Sequence, residues 1–148
     1  MKKLFIIAVT AWLAVQANAA EWLTDLPKAL AAAKAEKKLV FMDFTGSDWC
    51  PPCMALHKTV LSSPEFEAFA KKNLVLVLVD FPNAKPQTAA LKDANQKLQE
   101  KYKVEGYPTV IVLNADGKQL DKDTGYEGAT PREFLAKYEK LAAKLSAQ

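Results

Sequence analysis

The chain has 148 residues, half of them apolar and a quarter charged, which fits one globular domain and argues against disordered or fibrous classes. Its formal charge of +3 includes Lys2 and Lys3; setting these aside leaves 18 basic side chains against 17 acidic, so nothing draws nucleic acid or acidic lipid strongly. One histidine excludes a multi-histidine zinc centre, and two cysteines cannot staple a disulfide-rich miniprotein.

Met1-Lys2-Lys3 is a short basic start, followed by an uncharged run from Leu4 to Val15 and then Gln16-Ala17-Asn18-Ala19-Ala20, with small residues at signal-peptidase spacing. Twelve residues of helix span about 18 Å, well short of a hydrocarbon core of about 30 Å, so a cleaved leader is favoured over an anchor. Residues 1–19 are therefore expected to be a signal peptide and residues 20–148 one domain, exported to an oxidising periplasmic or secreted location.

The remaining chain alternates helix and strand. Leu26 to Lys38 predicts a helix capped by Thr24 or Asp25, with Pro27 in its first turn. Leu39 to Phe44 predicts a strand ended by Thr45-Gly46-Ser47, and Cys50 to Leu61 a helix that Ser63-Pro64 restarts through Lys72. Leu74 to Val79 shows no polar alternation and predicts a strand buried on both faces. A polar segment with a helix from Gln87 to Tyr102 follows, its mixed charges fitting a solvated face. Thr109 to Leu113 predicts a strand, Asn114-Ala115-Asp116-Gly117 a turn, and Lys118 to Leu120 a short hairpin partner. Thr130-Pro131-Arg132-Glu133 is a capping box opening a last helix to about Leu145. This order implies a three-layer α/β/α domain around a central mixed sheet.

The chemistry concentrates at Cys50-Pro51-Pro52-Cys53. Two cysteines three apart at a strand-to-helix junction share one side of the first turn, within the roughly 4.4–6.8 Å Cα separation that a disulfide needs. Cys50 at the helix start is expected to be the exposed nucleophile, favoured as thiolate by the positive end of the helix, with Cys53 shielded and acting second. Haem attachment would need histidine where Met54 stands, and a structural zinc site would need more ligands than Cys50, Cys53 and His57. A merely structural disulfide closing so short a loop would stabilise little. A copper(I) carrier using Cys50, Cys53 and Met54, with or without His57, stays open as the rival, since soft sulfur suits that ion.

Trp49-Cys50-Pro51-Pro52-Cys53, the apolar strand carrying Asp43 before it and Gly106-Tyr107-Pro108-Thr109 after it resemble the thioredoxin superfamily, and among its members the exported thiol–disulfide interchange proteins. The resemblance implies that Asp43 is a buried carboxylate exchanging a proton with Cys53, and that Tyr107-Pro108 is a cis-proline loop offering backbone hydrogen bonds to an extended substrate. It further implies that Trp49 shapes the rim beside Cys50 and that Gly128 lines the same groove. The sequence departs from the family in three places. Asp43 lies seven residues before Cys50, one more than is typical. The strand Leu74–Val79 lacks the lysine often found beside the acid, which keeps the acid hard to ionise. The segment from Phe81 to Gln99 is longer than usual, as a partner-specific surface would be.

Pro51 and Pro52 lack N–H groups that could donate to a Cys50 thiolate, and Asp48 adds nearby negative charge if its side chain points that way. Both disfavour the thiolate and predict a potential nearer about −270 mV than the roughly −120 mV of strong oxidants. The expected function is thiol–disulfide exchange with disulfide-bonded extracytoplasmic proteins, leaning to reductase or isomerase work, by a monomer with no dissociable cofactor and no metal. An exported reductant needs electrons from across the membrane, so a membrane electron-transfer protein is an expected partner. A thioredoxin-fold module that grips partners without turnover is the third alternative.

Overall fold

The computed structural model describes residues 19–147, so the expected leader lies almost entirely outside the described residues. In chain order the elements are β1 (Trp22–Leu23), α1 (Leu26–Glu36), β2 (Leu39–Thr45), α2 (Pro51–Leu56), a π-helical turn (His57–Leu61), α3 (Pro64–Asn73), β3 (Leu74–Asp80), α4 (Ala89–Lys101), β4 (Thr109–Leu113), β5 (Gln119–Thr124) and α5 (Pro131–Ser146). The sheet order is β1-β3-β2-β4-β5. Strand β3 runs parallel to both β1 and β2, whereas β4 is antiparallel to β2 and β5 antiparallel to β4.

Local chemistry explains the boundaries. Asp25 accepts the Lys28 N–H, Ser63 accepts the Phe66 N–H, and Thr130 and Glu133 form a reciprocal capping box, which satisfies N–H groups that a helix start leaves without partners. Pro64 and Pro131 directly follow their caps and Pro27 stands one residue further on, all within the first turn, where an N–H has no intrahelical partner to lose.

Strand alternation then sorts the core into two layers. Leu39, Phe41, Leu74, Leu76, Val110 and Val112 pack with Leu56, Val60, Phe66, Leu135 and Tyr138 on the side of α2, α3 and α5. Val40, Met42, Phe44, Val75, Val77, Val79 and Ile111 pack on the other side with Leu26, Ala29, Ala33 and Tyr102. Every residue of β2 is buried, so the predicted apolar strand is a central one. The same alternation puts Asp43 on the face that carries Leu39 and Phe41, beneath α2.

Three sequence expectations change, and one element goes unpredicted. Strand β1 has only two residues, too few to carry a periodicity. The predicted helix from Cys50 to Leu61 holds its α geometry only to Leu56 and closes with a π turn, the kind of irregularity that interrupts helices at functional sites. The predicted hairpin partner extends to Thr124, because an exposed polar edge strand needs no apolar run. In β3, Leu78 and Asp80 are only partly buried, because they border the cavity described below.

Candidate active site

Strand β2 ends at Thr45, and the chain turns back through Gly46, whose carbonyl accepts the N–H groups of Trp49 at 3.3 Å and Cys50 at 2.9 Å. That turn delivers Cys50 as the N-cap of α2 in an extended conformation, with Pro51 and Pro52 as the first two helical residues. Cys50 and Cys53 form a disulfide with a Cα separation of 5.3 Å. The sulfur of Cys50 lies 3.7 Å from the carbonyl oxygen of Tyr107, whose peptide bond to Pro108 is cis.

Both cysteines are buried, with Cys50 only 4% exposed. The expectation of an exposed outer cysteine is corrected here: the 107–108 loop lies against its sulfur in the disulfide state. An aromatic rim surrounds the pair. The Trp49 indole donates to the Phe81 carbonyl at 2.7 Å and meets the Tyr107 ring edge-on at 6.0 Å, while Phe81 stacks on Tyr107 at 5.2 Å. Trp49 and Met54 remain 42% and 43% exposed beside the cysteines.

Asp43 and Cys53 open onto one cavity of about 270 Å³, which Thr45, Ser47, His57, Leu78, Asp80 and Lys85 also border. Asp43 is 4% exposed, and its Oδ1 is buried with no hydrogen-bond partner among the described residues. Burial, and after it the negative charge of Asp80, push its carboxyl up to about 7. A group poised there can take a proton near neutrality. The longer loop between Asp43 and Cys50 therefore does not carry the acid away from Cys53.

Asp48 does not spend its charge on Cys50. Its carboxylate accepts the N–H groups of Asn83, Ala84 and Lys85 at 2.8–3.0 Å, which holds it below the usual carboxylate range. The condition attached to this residue in the sequence is thus not met. His57 starts the π turn with Nδ1 3.2 Å from Ser62 Oγ. Among the described residues, no three His, Cys, Asp or Glu side chains gather as a metal site.

A family model described as a thioredoxin-like domain matches residues 26–142. The chain belongs to the thioredoxin-like family. It is 38% identical over 118 residues to the disulfide bond reductase DsbH of Chlamydia pneumoniae, an alignment covering 80% of this chain and 70% of that one. A solved structure of DsbH oxidoreductase superposes with a TM-score of 0.78 at 32% identity, covering 85% of this chain and 86% of that one. The thiol:disulfide interchange protein DsbD of Klebsiella pneumoniae is 35% identical over 97 residues, which are 66% of this chain and 14% of that protein. With its Cys50–Cys53 disulfide, this thioredoxin-like protein is a thiol–disulfide oxidoreductase.

The thioredoxin-like fold brings Asp43, Trp49, Cys50, Pro51, Pro52, Cys53, Tyr107 and Pro108 to one end of the sheet. Gly128 sits instead in the exposed loop before α5 with a φ of +89°, where an added Cβ would meet open space. The glycine bonded to the proline loop is Gly125, whose N–H donates to the Pro108 carbonyl at 2.8 Å. Sequence reasoning missed Phe81, Ser47, Asp80 and Lys85. Strand register could have flagged Asp80, which stands two residues from the Asp43 partner Leu78 on the same face.

Proposed function

We propose that this protein reduces or isomerises disulfides in extracytoplasmic protein substrates, with Cys50 as nucleophile and Cys53 as resolving thiol. In the dithiol form the Cys50 thiolate attacks a substrate disulfide; one substrate sulfur bonds to Cys50 and the other leaves with the electron pair. Asp43 takes the proton of Cys53, whose sulfur attacks Cys50 and releases the second substrate sulfur. Two electrons have then passed to the substrate, and the protein is left as the Cys50–Cys53 disulfide. A separate donor must reduce it again, and a membrane electron-transfer protein suits a chain whose first nineteen residues read as an export signal.

The observation that carries this reading is that the resolving cysteine and a buried carboxyl, one oxygen of which has no partner among the described residues, open onto one cavity. The reductive direction draws support from similarity to a relative named as a disulfide bond reductase. Trp49, Tyr107 and the backbone beside Pro108 frame the groove for an extended substrate chain, while Pro51 opens the helix beside the thiol and Pro52 tunes it by withholding a donor.

The test is trapping. A Cys53→Ser variant cannot resolve its mixed disulfides, so it should retain extracytoplasmic proteins in adducts that dithiothreitol releases and that Cys50→Ser abolishes. A Cys53→Ser protein that captures nothing covalently would sink the reading.

A further inference from the structure

Asp43 has no cation beside it on the neighbouring strand. Its partner across the β2–β3 ladder is Leu78, and the next residue of β3 on that face, Asp80, is a second acid. Two carboxylates on one side of adjacent strands disfavour each other's ionisation, most of all where water is scarce. Asp80, however, is engaged by a chain of donors. Its carboxylate accepts the N–H of Ser47 at 3.0 Å and the hydroxyl of Ser47 at 2.6 Å. That same hydroxyl lies 3.0 Å from the Lys85 ammonium. An ammonium can only donate, so Ser47 Oγ accepts from Lys85 and passes its own proton toward Asp80.

The direction of this chain matters because it meets the unpartnered Asp43 Oδ1 at the same cavity. The titratable groups facing that space are Asp43 from β2, Cys53 from α2, His57 from the π turn, Asp80 from β3 and Lys85 from the following loop. Lys85 is exposed, so it stands at the mouth of the cavity. At about 270 Å³ the space has room for several waters, each taking about 30 Å³.

We propose that Lys85, acting through Ser47 and Asp80, is the cation that balances the buried acid and sets how readily Asp43 accepts the Cys53 proton. This rests on Asp43 being the base in the resolving step. In that step the Cys53 S–H bond breaks, its proton goes to the Asp43 carboxylate, and the sulfur bonds to Cys50 as the Cys50–substrate bond breaks. The substrate sulfur leaves as a thiolate. Asp80 alone would hold the proton on Asp43; Lys85 draws off part of that charge through Ser47. The three are positioning residues, since none need touch the reacting sulfurs.

The experiment follows the resolving step directly. Reduced protein is mixed with oxidised glutathione, and the Cys50–glutathione adduct is followed through its decay by acid quenching and intact mass, across pH 5 to 9. Lys85→Met should move the midpoint of the rate profile up, and Asp80→Asn should move it down, each by about one pH unit. A structural lesion would slow both variants without opposed shifts. Profiles of Lys85→Met and Asp80→Asn that overlay the parent would overturn the proposal, provided Asp43→Asn flattens its own profile. If Asp43→Asn keeps the parent profile, the base assignment itself fails. Lys85 is a surface residue, so its variant keeps the test open even if Asp80→Asn folds poorly.

Discussion

The Cys50 sulfur rests 3.7 Å from the carbonyl oxygen of Tyr107, a residue 57 positions away in the chain. A carbonyl oxygen presents the negative end of its dipole, so it gives no support to a charged sulfur. As N-cap, Cys50 would ordinarily accept from the N–H of the second or third helical residue, but the second is Pro52. The thiolate is thus denied one of its two local donors, and a poorly supported thiolate makes a weak oxidant. Equilibration with glutathione should place the potential nearer about −270 mV than about −120 mV. Replacing Pro52 with Ala restores a donor to a charged acceptor, a gain of about 1.5 kcal/mol, and should raise the potential by roughly 30 mV. A potential unchanged by Pro52→Ala would show that the missing N–H is not what sets it.

Asp48 organises the long loop after β3. Its two oxygens take three consecutive amides, those of Asn83, Ala84 and Lys85, so the segment that carries Phe81 and Lys85 to the site is tied to the residue two before Cys50. In Asp48→Ala these amides lose their acceptors, and their hydrogen exchange should accelerate by at least tenfold while exchange in β2 and β4 stays slow. The carboxyl titrates below its ordinary value in the folded protein. The tie therefore stabilises the fold above the unfolded value near 3.8 and is lost as pH falls through the folded one. Exchange of the three amides should accelerate in acid in the parent but show no such dependence in Asp48→Ala beyond the intrinsic rate. Equal protection in both proteins would remove Asp48 from this role.

These loop contacts mark the limit of what the sequence discloses. Strands β2, β3 and β4 were legible because their apolar runs, interrupted only by Asp43 in β2, leave few other places for themselves, and α5 because Thr130 and Glu133 form a capping box whose spacing is local. The cysteine pair was legible for the same reason: its geometry is set within one helical turn. Asp80, Ser47 and Lys85 were not, because a polar residue at a strand end reads as a terminator and only the β2–β3 register puts it beside Asp43. The burial of Cys50 was equally hidden, since the carbonyl that meets it comes from a distant loop. Asp48 illustrates a subtler failure, in which a charge near a sulfur in sequence is bonded elsewhere in space.

In the proposed mechanism Asp43 trades stability for chemistry. Its folded value of about 7 stands above the unfolded value of 3.8, so between those limits the native state binds more protons than the unfolded chain. Stability from this group is complete below pH 3.8 and falls as pH rises through about 7. A difference of about three pH units corresponds to an upper limit of about 4 kcal/mol. Asn at this position cannot ionise. The oxidised Asp43→Asn protein should match the parent in urea unfolding at pH 4 and exceed it at pH 8, and the reduced variant should resolve mixed disulfides far more slowly than the reduced parent. Parallel stability curves for the two proteins across this range would mean that Asp43 is not a raised acid.

Gly46 holds the rim in place by what it lacks. A Cβ there would come within 3 Å of the Trp49 indole, at the ring atoms beside the nitrogen that donates to Phe81. The indole has little freedom to yield, because that bond and the edge contact with Tyr107 fix it on two sides. Gly46→Ala should therefore push the ring outward and break the bond to the Phe81 carbonyl, with the Trp49 indole N–H resonance moving toward its solvent-exposed position. The Gly46 carbonyl can still accept the Cys50 N–H, so the disulfide should form as before. With the nucleophile intact and the rim displaced, reduction of a protein disulfide should slow several-fold through a higher KM, while reaction with a small disulfide such as oxidised glutathione stays near the parent rate. Equal losses on both substrates would place the defect at the sulfurs and exclude the rim as the surface that grips the substrate chain.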